Sequence, residues 1–179
     1  MILFAALLPP PGVAKAVRRI QKGVPGARWH PPDKLHITVG YFGEVSDTLA
    51  EELDEELARK PMPSLELFLD GVGHFGRAEP HQLHCRLRAD AGLTRLHKHC
   101  RRAARELRID MDSRTYTPHL TLAYLKPFPD VLKIAEWEQK HAALEVGPFL
   151  VDRMVLMSSH RTKAGPNRYD VEASYPLLG

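Results

Sequence analysis

The sequence predicts an α+β fold of two pseudo-twofold-related lobes, each an antiparallel-rich sheet with helices on its outer face, and a central cleft between them. Three observations carry this. Short apolar runs alternate with amphipathic stretches in the order strand, helix, strand, helix, strand, strand, helix, strand, helix, strand, strand. That order divides into two similar halves, an internal duplication with too long a period for a solenoid. Finally, LHITVGYFGEV at 35–45 and PHLTLAYLKPF at 118–128 share a histidine, an apolar residue and a threonine at corresponding places in the two halves. At 179 residues the chain suffices for one domain, 1–179, whose two lobes each carry one such stretch.

Each element has a local cause. Residues 2–8 form an apolar strand. Pro9 to Gly12 then open a helix whose Val13, Val17 and Ile20 recur at helical spacing, and Gly23 stops it. ARWHPPDK is irregular, because Pro31 and Pro32 lack ladder donors, and it leads into a strand at 35–42. Ser46 or Asp47 caps a second helix with Leu49, Leu53 and Leu57 inward, ended by Pro61 and Pro63. Strands at 65–72 and 82–88 form a hairpin around the glycine-rich loop GVGHFGRAEP. A third helix at 91–107 buries Leu93, Leu96, Cys100, Ala103 and Leu107, with a basic row outward. The second histidine strand, a helix at 131–141 and closing strands at 149–158 and 168–174 complete the chain.

Composition narrows the function. With 44% hydrophobic and 26% charged residues, neither disorder nor a membrane protein is indicated. MILFAALLPP lacks a basic leader and runs into prolines, so it reads as a buried strand rather than a signal peptide or spanning helix. Cys85 and Cys100 are too few for a disulfide framework, and a reducing cytoplasm is the expected location. The net charge of +3 and pI near 8.9 mildly favour an anionic partner without the basic stripe of a dedicated nucleic-acid binder.

Strand periodicity turns the two stretches into chemistry. His36 and Thr38 share one face and Ile37 and Val39 the other; His119 and Thr121 likewise oppose Leu120 and Leu122. The apolar face anchors each strand, leaving an imidazole and a hydroxyl projecting together from a rigid element. If the lobes face each other, two such pairs converge, which suits displacement at a phosphodiester: one imidazole as base, one as acid, and hydroxyls for the nonbridging oxygens. No metal or other cofactor is needed for that chemistry.

These stretches resemble the two His-x-Thr-x signatures of the 2H phosphoesterase superfamily, and within it the bacterial RNA 2′,3′-cyclic phosphodiesterases, historically called 2′-5′ RNA ligases. The resemblance extends to ILFAALLPP, GHFGRAEPHQLHCRL and FLVDRMVLMSSHRTKAGPNRYDVEASYPL, nearly the whole chain. It implies a metal-independent enzyme that opens the 2′,3′-cyclic phosphate of an RNA end, tRNA fragments included, to a 2′-phosphate, acting as a monomer with no membrane partner. His36 is then the proton donor to the departing 3′ oxygen, His119 the acceptor that activates water, and Thr38 and Thr121 hold phosphate oxygens. Relatives often carry arginine before the second Pro-His and three residues after its threonine, where this chain has Thr117 and Tyr124. Arg114 and Lys126 are candidates to replace that cationic contact, and Tyr41 and Tyr124 to donate hydrogen bonds or stack on a base.

Three other readings stand beside this one. His81, His84, His97 and His99 have chelating spacings, but no neighbouring carboxylate or thiol completes a tetrahedral set, and surface histidines are the expectation. The arginines of the third helix read as a solvated face. Alternatives to hydrolysis are ATP-independent reversible 2′-5′ ligation, using the same acid and base, and a non-catalytic RNA-end binding module.

Overall fold

The computed structural model describes residues 1–163 and 165–179. Its elements are β1 (Ile2–Leu7), α1 (Pro11–Arg18), β2 (Arg28–Trp29), a 3-10 turn (Pro32–Lys34), β3 (Ile37–Glu44), α2 (Asp47–Ala58), β4 (Met62–Pro63), β5 (Leu65–Phe75), β6 (Gln82–Leu87), α3 (Ala91–Glu106), β7 (His119–Tyr124), α4 (Val131–Lys140), β8 (Glu145–Val151), β9 (Arg153–His160) and β10 (Arg168–Leu178). The helices begin where the sequence supplies an acceptor for their unpaired N–H groups. Ser46 Oγ accepts from Leu49 N at 3.2 Å, Asp90 Oδ1 from Leu93 N at 2.8 Å and Asp130 Oδ1 from Lys133 N at 3.1 Å. Proline opens α1, where no donor is missed.

The strands join in the order β4-β10-β9-β1-β3-β7-β6-β5-β8, with β2 added to β7. Outward from the β3/β7 seam the order is β1, β9, β10 and the short β4 on one side and β6, β5, β8 on the other. The seam is thin: a single ladder pair, Ile37 with Leu120, joins β3 to β7 among the described residues. One face of the sheet merges with all four described helices into the main core, which includes Leu3, Ile37, Leu53, Leu93, Leu120 and Ile134. On the opposite face Phe4, Ala6, Val155 and Met157 form a small separate cluster against Tyr169.

Three expectations are corrected. The closing strand predicted at 149–158 is two strands, β8 and β9, separated by Asp152. The first is the edge strand beside β5, and the second lies between β1 and β10 in the other half of the sheet. The charged pair Asp152-Arg153 interrupts the apolar run, but nothing local names the new partner strand. The first part of the glycine-rich run is also strand: β5 continues to Phe75, and a bulge at Gly71, φ +77°, absorbs the irregularity. The two-residue strands β2 and β4 were not predicted, being too short to show alternation. Pro63 is tolerated in β4 because that strand lies at the sheet edge.

Candidate active site

The seam sets the geometry of the two histidines. With Ile37 opposite Leu120 in an antiparallel pair, one step along either strand puts His36 opposite Thr121 and Thr38 opposite His119. Opposite residues stand about 5 Å apart and diagonal ones about 7–8 Å, so four side chains form one compact patch. Ile37 and Leu120 are fully buried on the helix side, which fixes the other four on the open face.

The two halves share a further device. In pairing with β1, β3 carries one extra residue at Val39; in pairing with β6, β7 carries one at Leu122. The fourth position of each His-x-Thr-x stretch is therefore a bulge, and alternation resumes one residue later. Val39 and Leu122 are buried as predicted, but the phase shift turns Gly40 toward α3. A Cβ there would stand 2.7 Å from Cys100 Cβ, so only glycine fits. The same shift puts Tyr41 and Tyr124, three residues after each threonine, in matching positions, 53% and 41% exposed.

Each imidazole is held in the same way. His36 Nδ1 lies 2.9 Å from the Lys34 carbonyl and His119 Nδ1 2.8 Å from the Thr117 carbonyl, in each case two residues upstream. A carbonyl only accepts, so Nδ1 carries the hydrogen and Nε2 is the nitrogen left for chemistry. Burial lowers the pKa of His36, its bond to the Lys34 carbonyl works the other way, and the charge of His119 lowers it further. Burial also lowers that of His119, offset in part by the Thr117 carbonyl. Phe4 and Tyr169 flank His36 at ring-centroid distances of 5.1 and 5.3 Å, and Phe75 and His84 flank His119 at 4.8 and 5.3 Å.

The threonines differ in their surroundings. Thr38 is half-buried, and its carbonyl accepts from Tyr116 Oη at 2.8 Å. Thr121 is buried, and its Oγ1 accepts from Gln82 Nε2 at 2.7 Å; Gln82 Oε1 accepts from His84 Nδ1 at 2.8 Å. Because Gln82 is the donor in that chain, the Thr121 hydroxyl proton stays available to an anion. Burial holds the pKa of His84 down to about 3, helped by the charges of His119 and Arg86, so the ring is neutral near neutral pH. Neither Gln82 nor His84 was singled out as a site residue from sequence. The signal was present: both sit on β6 at period two, on the face that meets Thr121 and His119.

A cleft of about 640 Å³ opens beside the seam, lined by Thr38, Tyr41, His97, Arg114, Tyr116 and His119 among others. Arg114 reaches it as an exposed side chain whose Nε already donates to Asp112 Oδ2 at 2.7 Å. Lys126 is exposed and outside this lining. The expectation of surface histidines is corrected for two of four. His84 is 3% exposed because Gln82, Phe75 and His119 cover it on the site face, and His99 is 5% exposed with its ring bonded to the Leu57 carbonyl at 3.0 Å. His97 bonds the Val39 carbonyl at 2.7 Å and stacks on Tyr116 at 4.1 Å. Among the described residues no three His, Cys, Asp or Glu side chains cluster as metal ligands, and no helix is long and apolar enough to cross a membrane.

Residues 9–163 match the family model described as the 2′-5′ RNA ligase superfamily. Three curated proteins similar to the chain are RNA 2′,3′-cyclic phosphodiesterases. That of Aquifex aeolicus is 26% identical over 181 aligned residues, covering 96% of this chain and 95% of the relative. That of Thermotoga maritima is 25% identical over 158, covering 86% and 81%, and that of Aeropyrum pernix 28% over 147, covering 79% and 84%. The crystal structure of TT0787 of Thermus thermophilus superposes with a TM-score of 0.77 at 25% identity, over 100% of this chain and 99% of that one. E. coli LigT complexed with 3′-AMP has the same fold, with a TM-score of 0.77 at 23% identity over 99% and 98%.

Proposed function

Because the chain belongs to the 2′-5′ RNA ligase superfamily, we propose that it opens the 2′,3′-cyclic phosphate of an RNA end to a 2′-phosphate by a two-histidine, metal-independent mechanism. The observation that carries this reading is the mirrored anchoring of His36 and His119: each Nδ1 is tied to the carbonyl two residues upstream, leaving two Nε2 atoms for one substrate. The shared name of the similar curated proteins supports the substrate.

In this mechanism a water oxygen bonds to phosphorus while the P–O3′ bond breaks. His119 Nε2 takes the proton from water, and His36 Nε2 gives its proton to the departing 3′ oxygen. The Thr38 and Thr121 hydroxyls donate to the nonbridging oxygens, with the Gln82 contact keeping the Thr121 proton turned outward. Tyr41 and Tyr124 flank the patch as stacking or hydrogen-bonding surfaces for the terminal nucleotide. Each proton transfer contributes roughly 10²- to 10⁴-fold, enough chemistry without a Lewis acid.

The direct test is an oligonucleotide with a terminal 2′,3′-cyclic phosphate incubated with the protein in EDTA, followed by identification of the product isomer. A 2′-phosphate is expected. A 3′-phosphate product reverses the leaving-group assignment, and activity that disappears in EDTA refutes metal independence.

The pH dependence follows from the two lowered pKa values. Catalysis needs one ring neutral and the other protonated, and both titrate below the ordinary value of about 6.5, so kcat/KM should trace a bell with its maximum on the acid side of that value. The bound phosphodiester anion favours an imidazolium, so the kcat maximum should lie at higher pH than that of kcat/KM. Initial rates across about pH 5 to 9 check both points, and a flat profile would count against paired histidines.

A further inference from the structure

Next to the catalytic cleft runs a second groove, of about 640 Å³, lined by Lys98, Arg101, Arg105 and Arg108 together with Ile109 and Met111. The four cations follow one another at spacings of three, four and three residues, one stripe along the exposed side of α3 and the turn beyond it. From Lys98 to Arg105 the stripe spans about 10 Å of helix. Asp110 is the one carboxylate among the described lining residues. Arg102 is engaged by Glu56 at 2.7 Å, whereas Lys98, Arg105 and Arg108 have no ion-pair partner among the described residues.

The groove is built into the wall of the cleft. Arg101 Nη1 donates to the Asp112 carbonyl at 3.1 Å, tying α3 to the segment at 109–117. Tyr116 of that segment donates to the Thr38 carbonyl at 2.8 Å and stacks on His97 of α3. Met111 lines both the groove and the cleft, and the neighbouring pairs His97/Lys98 and Asp110/Asp112 divide between them. A chain leaving the cleft past Met111 therefore enters a cationic channel.

We infer that this groove holds the sugar–phosphate backbone of the RNA whose cyclic end lies in the cleft. The inference rests on the reading of the cleft proposed above. Unpaired cations in a row, continuous with a phosphodiester-sized site, match a polyanion that ends in that site. Such contacts position the strand without reading its sequence. The basic row expected to be a solvated face thus has a ligand.

The test compares a labelled single-stranded oligoribonucleotide ending in a 2′,3′-cyclic phosphate with 2′,3′-cyclic AMP, using the wild type and the variant Lys98→Ala/Arg105→Ala. The expected result is a kcat/KM ratio, oligonucleotide to mononucleotide, lower by about tenfold or more in the variant. The log–log salt slope of oligonucleotide binding should be shallower by about 1.4, two lost phosphate contacts at about 0.7 each. The equal charge change Lys140→Ala/Arg153→Ala, on α4 and β9, should leave the ratio in place. A ratio unchanged in the groove variant, or lowered equally in both variants, overturns the inference. If the wild type opens neither substrate, the catalytic reading fails by itself. The groove is then judged by anisotropy of the bound oligonucleotide, and an affinity unaltered in the groove variant overturns it.

Discussion

Replacing either His36 or His119 by alanine is expected to lower kcat/KM on a terminal 2′,3′-cyclic phosphate by roughly 10²- to 10⁴-fold, and replacing both to cost little more than the larger single loss. The reason lies in how the rings are held. Each presents one nitrogen to the patch because the other is fixed on a backbone carbonyl. A base without its acid leaves the 3′ oxygen to depart as an alkoxide, and an acid without its base leaves water unactivated. Either loss stalls the same bond exchange, so the second loss finds little rate left to remove. Single-turnover rates for the two single variants and the double variant check this. Losses that multiply would mean that the histidines act in separate steps and would remove the basis of the proposed mechanism.

The largest expected effect on stability comes from the residue beside His119. Leu120→Ala should destabilise the protein by about 2–5 kcal/mol, since Leu120 is fully buried in the main core and truncation leaves a cavity. At about 2–4 °C per kcal/mol for a chain of this size, the unfolding midpoint should fall by about 4 °C at the least. Leu120 also forms, with Ile37, the one described ladder pair across the seam, so the variant should lose activity at temperatures where it remains folded. Tyr41→Ala offers the contrast: its side chain is 53% exposed, and the change should stay within about 0.5 kcal/mol. Melting curves of the three proteins test the ranking, and a Leu120→Ala midpoint equal to that of Tyr41→Ala would refute the anchoring role of the seam pair.

The candidate site was legible in part for a specific reason. His36, Thr38, His119 and Thr121 share faces by strand alternation, and Ile37 and Leu120 identify the buried face; both facts are local. Gln82 and His84 alternate in the same way on β6, yet their role depends on β6 lying beside β7, a pairing between residues that are distant in sequence. The burial of His84 and His99 comes from groups distant in sequence, His119 over the first and the Leu57 carbonyl at the second, which their own segments do not show. The basic row on α3 was visible, but not the segment at 109–117 that lies beside it and joins it to the cleft.

By itself the sequence determined the α+β class, a second helix capped at Ser46 or Asp47, helices beginning near 91 and 131, and the two His-Thr pairs, since each follows from spacing and from residues near in sequence. Only the tertiary structure decided the change of partner at Asp152, the bulges at Val39 and Leu122, the Gln82 bond to Thr121 and the groove beside the cleft. The physical reason is range. Alternation and capping are set by neighbours along the chain. Strand partners, bulges and buried polar contacts are set by which distant surfaces exclude water together, and that is fixed only when the whole core closes.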